Sequence, residues 1–102
     1  MTLPIEGDLR AWDGFVVAPA WERPVEAETV IDDTQALERR LERKIRDGGV
    51  AGVILVIAAT LRNRRALEAA PAAFAGFDRN ARRILRELRA GRDPGPRSLI
   101  LL

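Results

Sequence analysis

The chain has 102 residues, 47% hydrophobic and 31% charged, a balance that suits one folded domain rather than a disordered segment. It holds no cysteine and no histidine, which excludes disulfides, thiolate zinc centres, cysteine nucleophiles and histidine general bases. Carboxylates are left as the strong metal ligands, and they suit magnesium, manganese or calcium. The net charge of +2 conceals a split. Residues 1–33 carry eight acids and two bases, and residues 34–102 seven acids and fifteen bases, as suits a metal site beside a phosphate-binding surface.

No basic stretch followed by an apolar one opens the chain, and its longest apolar run, "GVAGVILVIAATL", is too short to cross a bilayer. A cytoplasmic location without membrane contact is expected. "LRAWDGFVVAP", 9–19, reads as a strand, "AWERP" as a turn, and "VEAETVI", 25–31, as a second strand, which makes an antiparallel hairpin. Strand alternation puts Glu26 and Glu28 side by side on one face. The other face, with Val25, Ala27, Thr29 and Ile31, looks made for a core. Two neighbouring carboxylates need either open water or a cation. With the turn centred near Trp21, Asp13 falls across the ladder near Glu28 or Val30, on the same face as both glutamates.

Residues 33–47 are expected to be helical, capped by Asp32 or Asp33 and ended by "DGG", with Leu37, Leu41 and Ile45 as an apolar stripe. Arg40 and Lys44 share the face of Leu37 and Leu41. "GVILVIA", 52–58, is a strand buried on both faces, parallel to the second strand. A helix from about Asn63 is interrupted near Pro71. Residues 78–91 form another helix, capped by Asp78, with Arg79, Arg82, Arg83, Arg86 and Arg89 as a basic stripe. "RSLILL", 97–102, is a last parallel strand. A helix-turn-helix over 63–90 is rejected, because Arg82 falls where that motif needs an apolar residue. The order is β-β-α-β-α-α-β in a single α/β domain spanning 1–102, with a four-stranded mixed sheet flanked by helices.

Asp13 on one hairpin strand, Glu26-Ala27-Glu28 on the next, and Gln35 on the following helix resemble the restriction-endonuclease-like, or PD-(D/E)xK, nuclease superfamily. The resemblance implies a restriction-endonuclease-like core and phosphodiester hydrolysis. Mg2+ or Mn2+ would be held by Asp13, Glu26 and Glu28. Glu28 or Lys44 would assist the attacking water, and Gln35 would orient a ligand. DNA is the implied partner, with Arg39, Arg40, Arg82 and Arg86 on its phosphates. Glu28 stands where the superfamily has lysine, Lys44 is the sole lysine, and residues 1–8 leave no room for the usual first helix and strand. The segments "RAWD", "VEAET", "DTQALERR", "KIRDGG" and "NRRAL" also resemble the C-terminal domain of actinobacterial helix-turn-helix proteins. That likeness implies an N-terminal DNA-binding domain in a longer parent chain. Three readings stay open: a metal-dependent nuclease-like domain, the same fold as a catalytically inactive regulatory module, and a homodimeric interaction domain.

Overall fold

The computed structural model describes residues 12–102. Seven elements follow in chain order: β1 (Gly14–Ala18), β2 (Trp21–Glu28), α1 (Thr34–Gly48), β3 (Val53–Ile57), α2 (Leu61–Glu68), α3 (Ala81–Arg89) and β4 (Arg97–Leu101). They build one four-stranded sheet in the order β1-β2-β3-β4. β1 and β2 are antiparallel, and β2, β3 and β4 run parallel. The element order and strand directions are those expected from the sequence.

The boundaries of the hairpin differ from expectation. Ala18 pairs with Trp21, so the turn is Pro19–Ala20, and Trp21 already belongs to β2. The second strand therefore runs 21–28 instead of 25–31. Of the strand expected over 9–19, residues 9–11 lie outside the described residues, and Trp12 and Asp13 form a bend before β1. A proline that ends one strand and leaves only two residues to reverse the chain makes a tighter hairpin than "AWERP" suggested.

The helices start at side-chain caps. Asp33 Oδ1 accepts the Ala36 N–H at 3.0 Å, and α1 ends at Gly49, whose φ of 63° is the left-handed conformation that glycine tolerates. Thr60 caps α2, which begins two residues earlier than expected and ends before Pro71. Asn80, not Asp78, caps α3. Asp78 is drawn instead to the edge of β4. Its N–H donates to Arg97 O, its carbonyl accepts from Leu99 N, and its carboxylate takes the Asn80 N–H.

Alternation along the parallel strands splits the interior in two. Val53, Leu55, Ile57 and Leu99 face α1 and α2, packing on Leu37, Leu41, Ile45 and Leu67 together with Phe74 and Phe77. Ile54 and Ile100 face the other way, packing on Ile84 of α3 with Val16, Val25, Val56, Leu85 and Leu88. β3 is thus buried on both sides, as its unbroken apolar run implies. Each of the fully buried side chains among them stabilises the fold by about 1.5–3 kcal/mol through burial, and the partly buried Val16, Val25, Val56, Leu85 and Leu88 by less.

One polar residue ties the two loops at the C-terminal end of β2 and β3. Asn63, in the first turn of α2, is fully buried. Its Oδ1 accepts from Ile31 N at 2.9 Å, and its Nδ2 donates to Thr29 O and Ala58 O at 2.9 and 3.0 Å.

Candidate functional site

Glu26 and Glu28 pair in register with Leu55 and Ile57, so they point to the larger core's side of the sheet, under α1. This reverses the faces expected for the second strand. Val25 packs on the smaller α3 cluster, Ala27 and Thr29 are exposed, and Ile31 is buried only beyond the strand's end. Period-two alternation separates two faces but does not say which one a helix will cover.

The cations that offset the carboxylate repulsion come from α1. Lys44 Nζ donates to Glu26 Oε2 at 2.6 Å, and Arg40 Nη2 pairs with Glu28 Oε1. The spacing explains the match. Four residues of helix rise about 6 Å, and two residues of strand about 6.6 Å, so α1 running back over β2 presents one cation to each acid. The Glu26 side chain is 8% exposed and that of Lys44 21%. Lys44 Nζ also lies 4.7 Å from the centroid of the buried Trp12 ring, a cation–π contact that holds the ammonium over the acid. Glu26 Oε1 is buried and has no hydrogen-bond partner.

Asp13 stands at the end of the hairpin, where the ladder slips by one residue. Its N–H donates to Val25 O at 3.1 Å, and its Oδ2 accepts the Ala27 N–H at 2.8 Å. The expected position beside Glu28 or Val30 is therefore corrected: the tighter turn sets Asp13 beside Ala27, between the two glutamates along β2. Each of the three carboxylates has a protein partner. Among the described residues no three acidic side chains gather closely enough to hold a metal ion.

Gln35 is not brought to this group. It lies about 140° round α1 from Arg40, on the flank of Glu38, and lines a shallow cleft of about 200 Å³ with Pro71 and Ala72. Glu38 on that flank accepts the Phe74 N–H at 2.8 Å. The bond braces a buried phenylalanine whose φ of 57° is left-handed.

The four arginines expected on nucleic acid divide between two sides of the sheet. Arg39 and Arg40 are exposed on α1, Arg82 and Arg86 on α3. Comparison with known proteins returned no match: no family model, no curated protein and no solved structure. The pairing of Arg40 and Lys44 with the glutamates was partly visible in the sequence, since all four carry a matched spacing. The part played by Trp12 was not, because nothing local marks a tryptophan as the cover of a lysine.

Proposed function

We propose that the domain is a restriction-endonuclease-like unit that acts on DNA phosphodiester bonds with a divalent metal. The observation that carries this reading is the Glu26–Lys44 pair: a buried strand carboxylate with one oxygen free of any partner, faced by the chain's sole lysine. The hairpin followed by a helix and a parallel strand is the setting in which the superfamily resemblance places its acids. Lysine is supplied here from α1 rather than from the strand position occupied by Glu28.

In this reading magnesium or manganese would be held through two carboxylates, Glu26 by the buried oxygen that lacks a partner, once it is opened to the ion, and Asp13 by the oxygen that Ala27 does not use. Magnesium commonly takes one or two carboxylates and completes its shell with water and substrate phosphate. Bound there, the ion would acidify a water and stabilise charge on the phosphate. Lys44 would orient Glu26 and offer an ammonium to a phosphate oxygen. Arg40 would keep Glu28 neutralised or, on swinging out, reach the DNA backbone alongside Arg39.

The experiment is nicking of supercoiled plasmid with millimolar Mn2+ or Mg2+, alongside thermal melts with and without the metal. Cleavage and a metal-induced rise in Tm are expected, and Glu26→Gln should lose both. The absence of cleavage together with an unchanged Tm would sink the metal reading. A second reading, the same fold as a binding module without catalysis, is favoured by the two ion pairs that engage Glu26 and Glu28. It predicts DNA binding without metal-dependent cleavage.

A further inference from the structure

The arginines of α3 are not distributed evenly. Arg82, Arg86 and Arg89 recur at i, i+4 and i+7, so they lie within a sector of about 60° along one flank of the helix. All three are exposed. The other flank carries Arg83 and Glu87, and there the loop before β4 closes over the helix. Arg83 bonds Asp78 and Pro94 O, and Glu87 is taken by Arg92. The Arg92 guanidinium holds the Glu87 carboxyl below its ordinary range.

The acids nearest α3 are therefore committed to Arg83 and Arg92. No carboxylate among the described residues forms an ion pair with Arg82, Arg86 or Arg89. Like charges at i,i+3 and i,i+4 repel by a few tenths of a kcal/mol per pair, so the row is strained without an anion. It extends about 10 Å along the helix, and a duplex carries one phosphate of each strand per about 3.4 Å of its axis, so a row laid along that axis meets about three phosphates of a strand. Arginine forks onto phosphate oxygens in two-bond fashion.

We infer that this flank of α3 is a phosphate-backbone docking surface for duplex nucleic acid, separate from the Glu26–Lys44 site. The separation follows from the packing. α3 covers the Ile54–Ile100 side of the sheet, and α1 covers the Leu55–Leu99 side. A sheet with a helix layer on each side is about 20 Å thick between helix axes, so a straight duplex seated on α3 does not reach Lys44. The inference rests on the function proposed above only for the choice of nucleic acid as the polyanion.

The test is fluorescence anisotropy of a labelled 20-base-pair duplex titrated with the chain in EDTA, across a salt series. Without metal, the outcome is independent of whether the Glu26 site cleaves. Arg82→Gln, Arg86→Gln and Arg89→Gln combined should lower the slope of log K against log salt by about 2.7, at about 0.9 per lost contact, and weaken binding by roughly 100-fold or more at 0.1 M salt. Arg64→Gln combined with Arg65→Gln, both exposed on α2, should leave the slope within about one. Glutamine keeps the helix, and an unchanged far-UV spectrum and melt check that. An unchanged affinity and slope in the α3 variant overturns the inference, as does a wild-type chain that ignores the duplex at 50 mM salt. Binding to vesicles containing phosphatidylserine without binding to duplex also overturns it, by making a lipid surface the polyanion.

Discussion

Replacing Lys44 by methionine keeps an unbranched stem of similar length and removes the ammonium, leaving Glu26 with no protein partner. Breaking a buried ion pair by deleting one member costs about 3–5 kcal/mol. The lower part of that range applies, because the Lys44 end is 21% exposed and water can reach the vacated place. Loss of the contact with Trp12 adds about 0.5–1 kcal/mol, so the expected cost is about 3.5–4 kcal/mol. For a domain of this length that lowers Tm by roughly 14–32 °C. Glu26→Gln should cost less, about 1–2 kcal/mol, since lysine can extend its flexible stem towards solvent. The double variant removes both charges, and its cost should fall short of the sum of the singles by about 1.5 kcal/mol or more. Urea denaturation of the four proteins closes the cycle, with equal m-values as the check that only stability has changed. A buried pair is weakly screened, so the coupling should persist at 0.5 M salt. A Lys44→Met cost below about 1 kcal/mol, or additive singles, would show that Glu26 is not held by this lysine and would remove the basis of the site.

Asn63→Ala leaves Ile31 N and Thr29 O without their partner and takes one of two donors from Ala58 O, which keeps the Thr60 N–H. At about 1 kcal/mol per lost bond the domain should lose about 3 kcal/mol in the same urea assay, whereas a loss under 1 kcal/mol would mean that water replaces all three. Gly52→Ala puts a Cβ inside the contact distance of the Pro96 carbonyl, which also accepts the Val53 N–H at 2.8 Å. Backbone must move there, so a loss of at least 2 kcal/mol is expected, and a soluble variant with wild-type Tm would contradict that packing. Stability should also be flat in pH across the neutral range, since the chain has no histidine. The Asp78 carboxyl is held below its ordinary value, first by the Asn80 N–H and then by Arg83, against the opposing effect of burial. A carboxylate depressed in the folded state contributes stability above its unfolded pKa of about 4, and that contribution is lost as pH falls through the folded value. Circular-dichroism melts should therefore show Tm dropping below about pH 4, with a smaller drop in Asp78→Asn; an equal drop in both would rule out Asp78 as a contributor.

Much of the architecture was legible because it rests on local signals. The unbroken run at 53–57, the Leu37–Leu41–Ile45 stripe, and the caps and glycine around α1 each report on their own neighbourhood. Boundaries slipped where a distant partner decided them. Asp78 was read as a helix cap because it precedes a helical pattern, but β4 claims its backbone. Trp21 was read as a turn residue because it follows Pro19, but it pairs with Ala18.

The candidate site was legible in its members and not in its arrangement. Glu26, Glu28, Arg40 and Lys44 could all be singled out from residue type and spacing. Gln35 could be singled out too, yet helical phase carries it to the opposite flank of α1. The glutamates were set on the face away from the core, with open water or a cation to offset them, and which face is covered depends on where α1 lies, which no local pattern records.

Composition by itself settled which chemistries are closed to this chain, since residues that are absent cannot be supplied by folding. Hydrophobic periodicity settled the kinds of element and their order, because it is a property of consecutive residues. The register of the hairpin, the side of the sheet that α1 covers and the division of the arginines between two faces were settled only by tertiary packing. Each depends on contacts between segments far apart in the chain, and their relative placement is the sum of many burials rather than the preference of any one stretch.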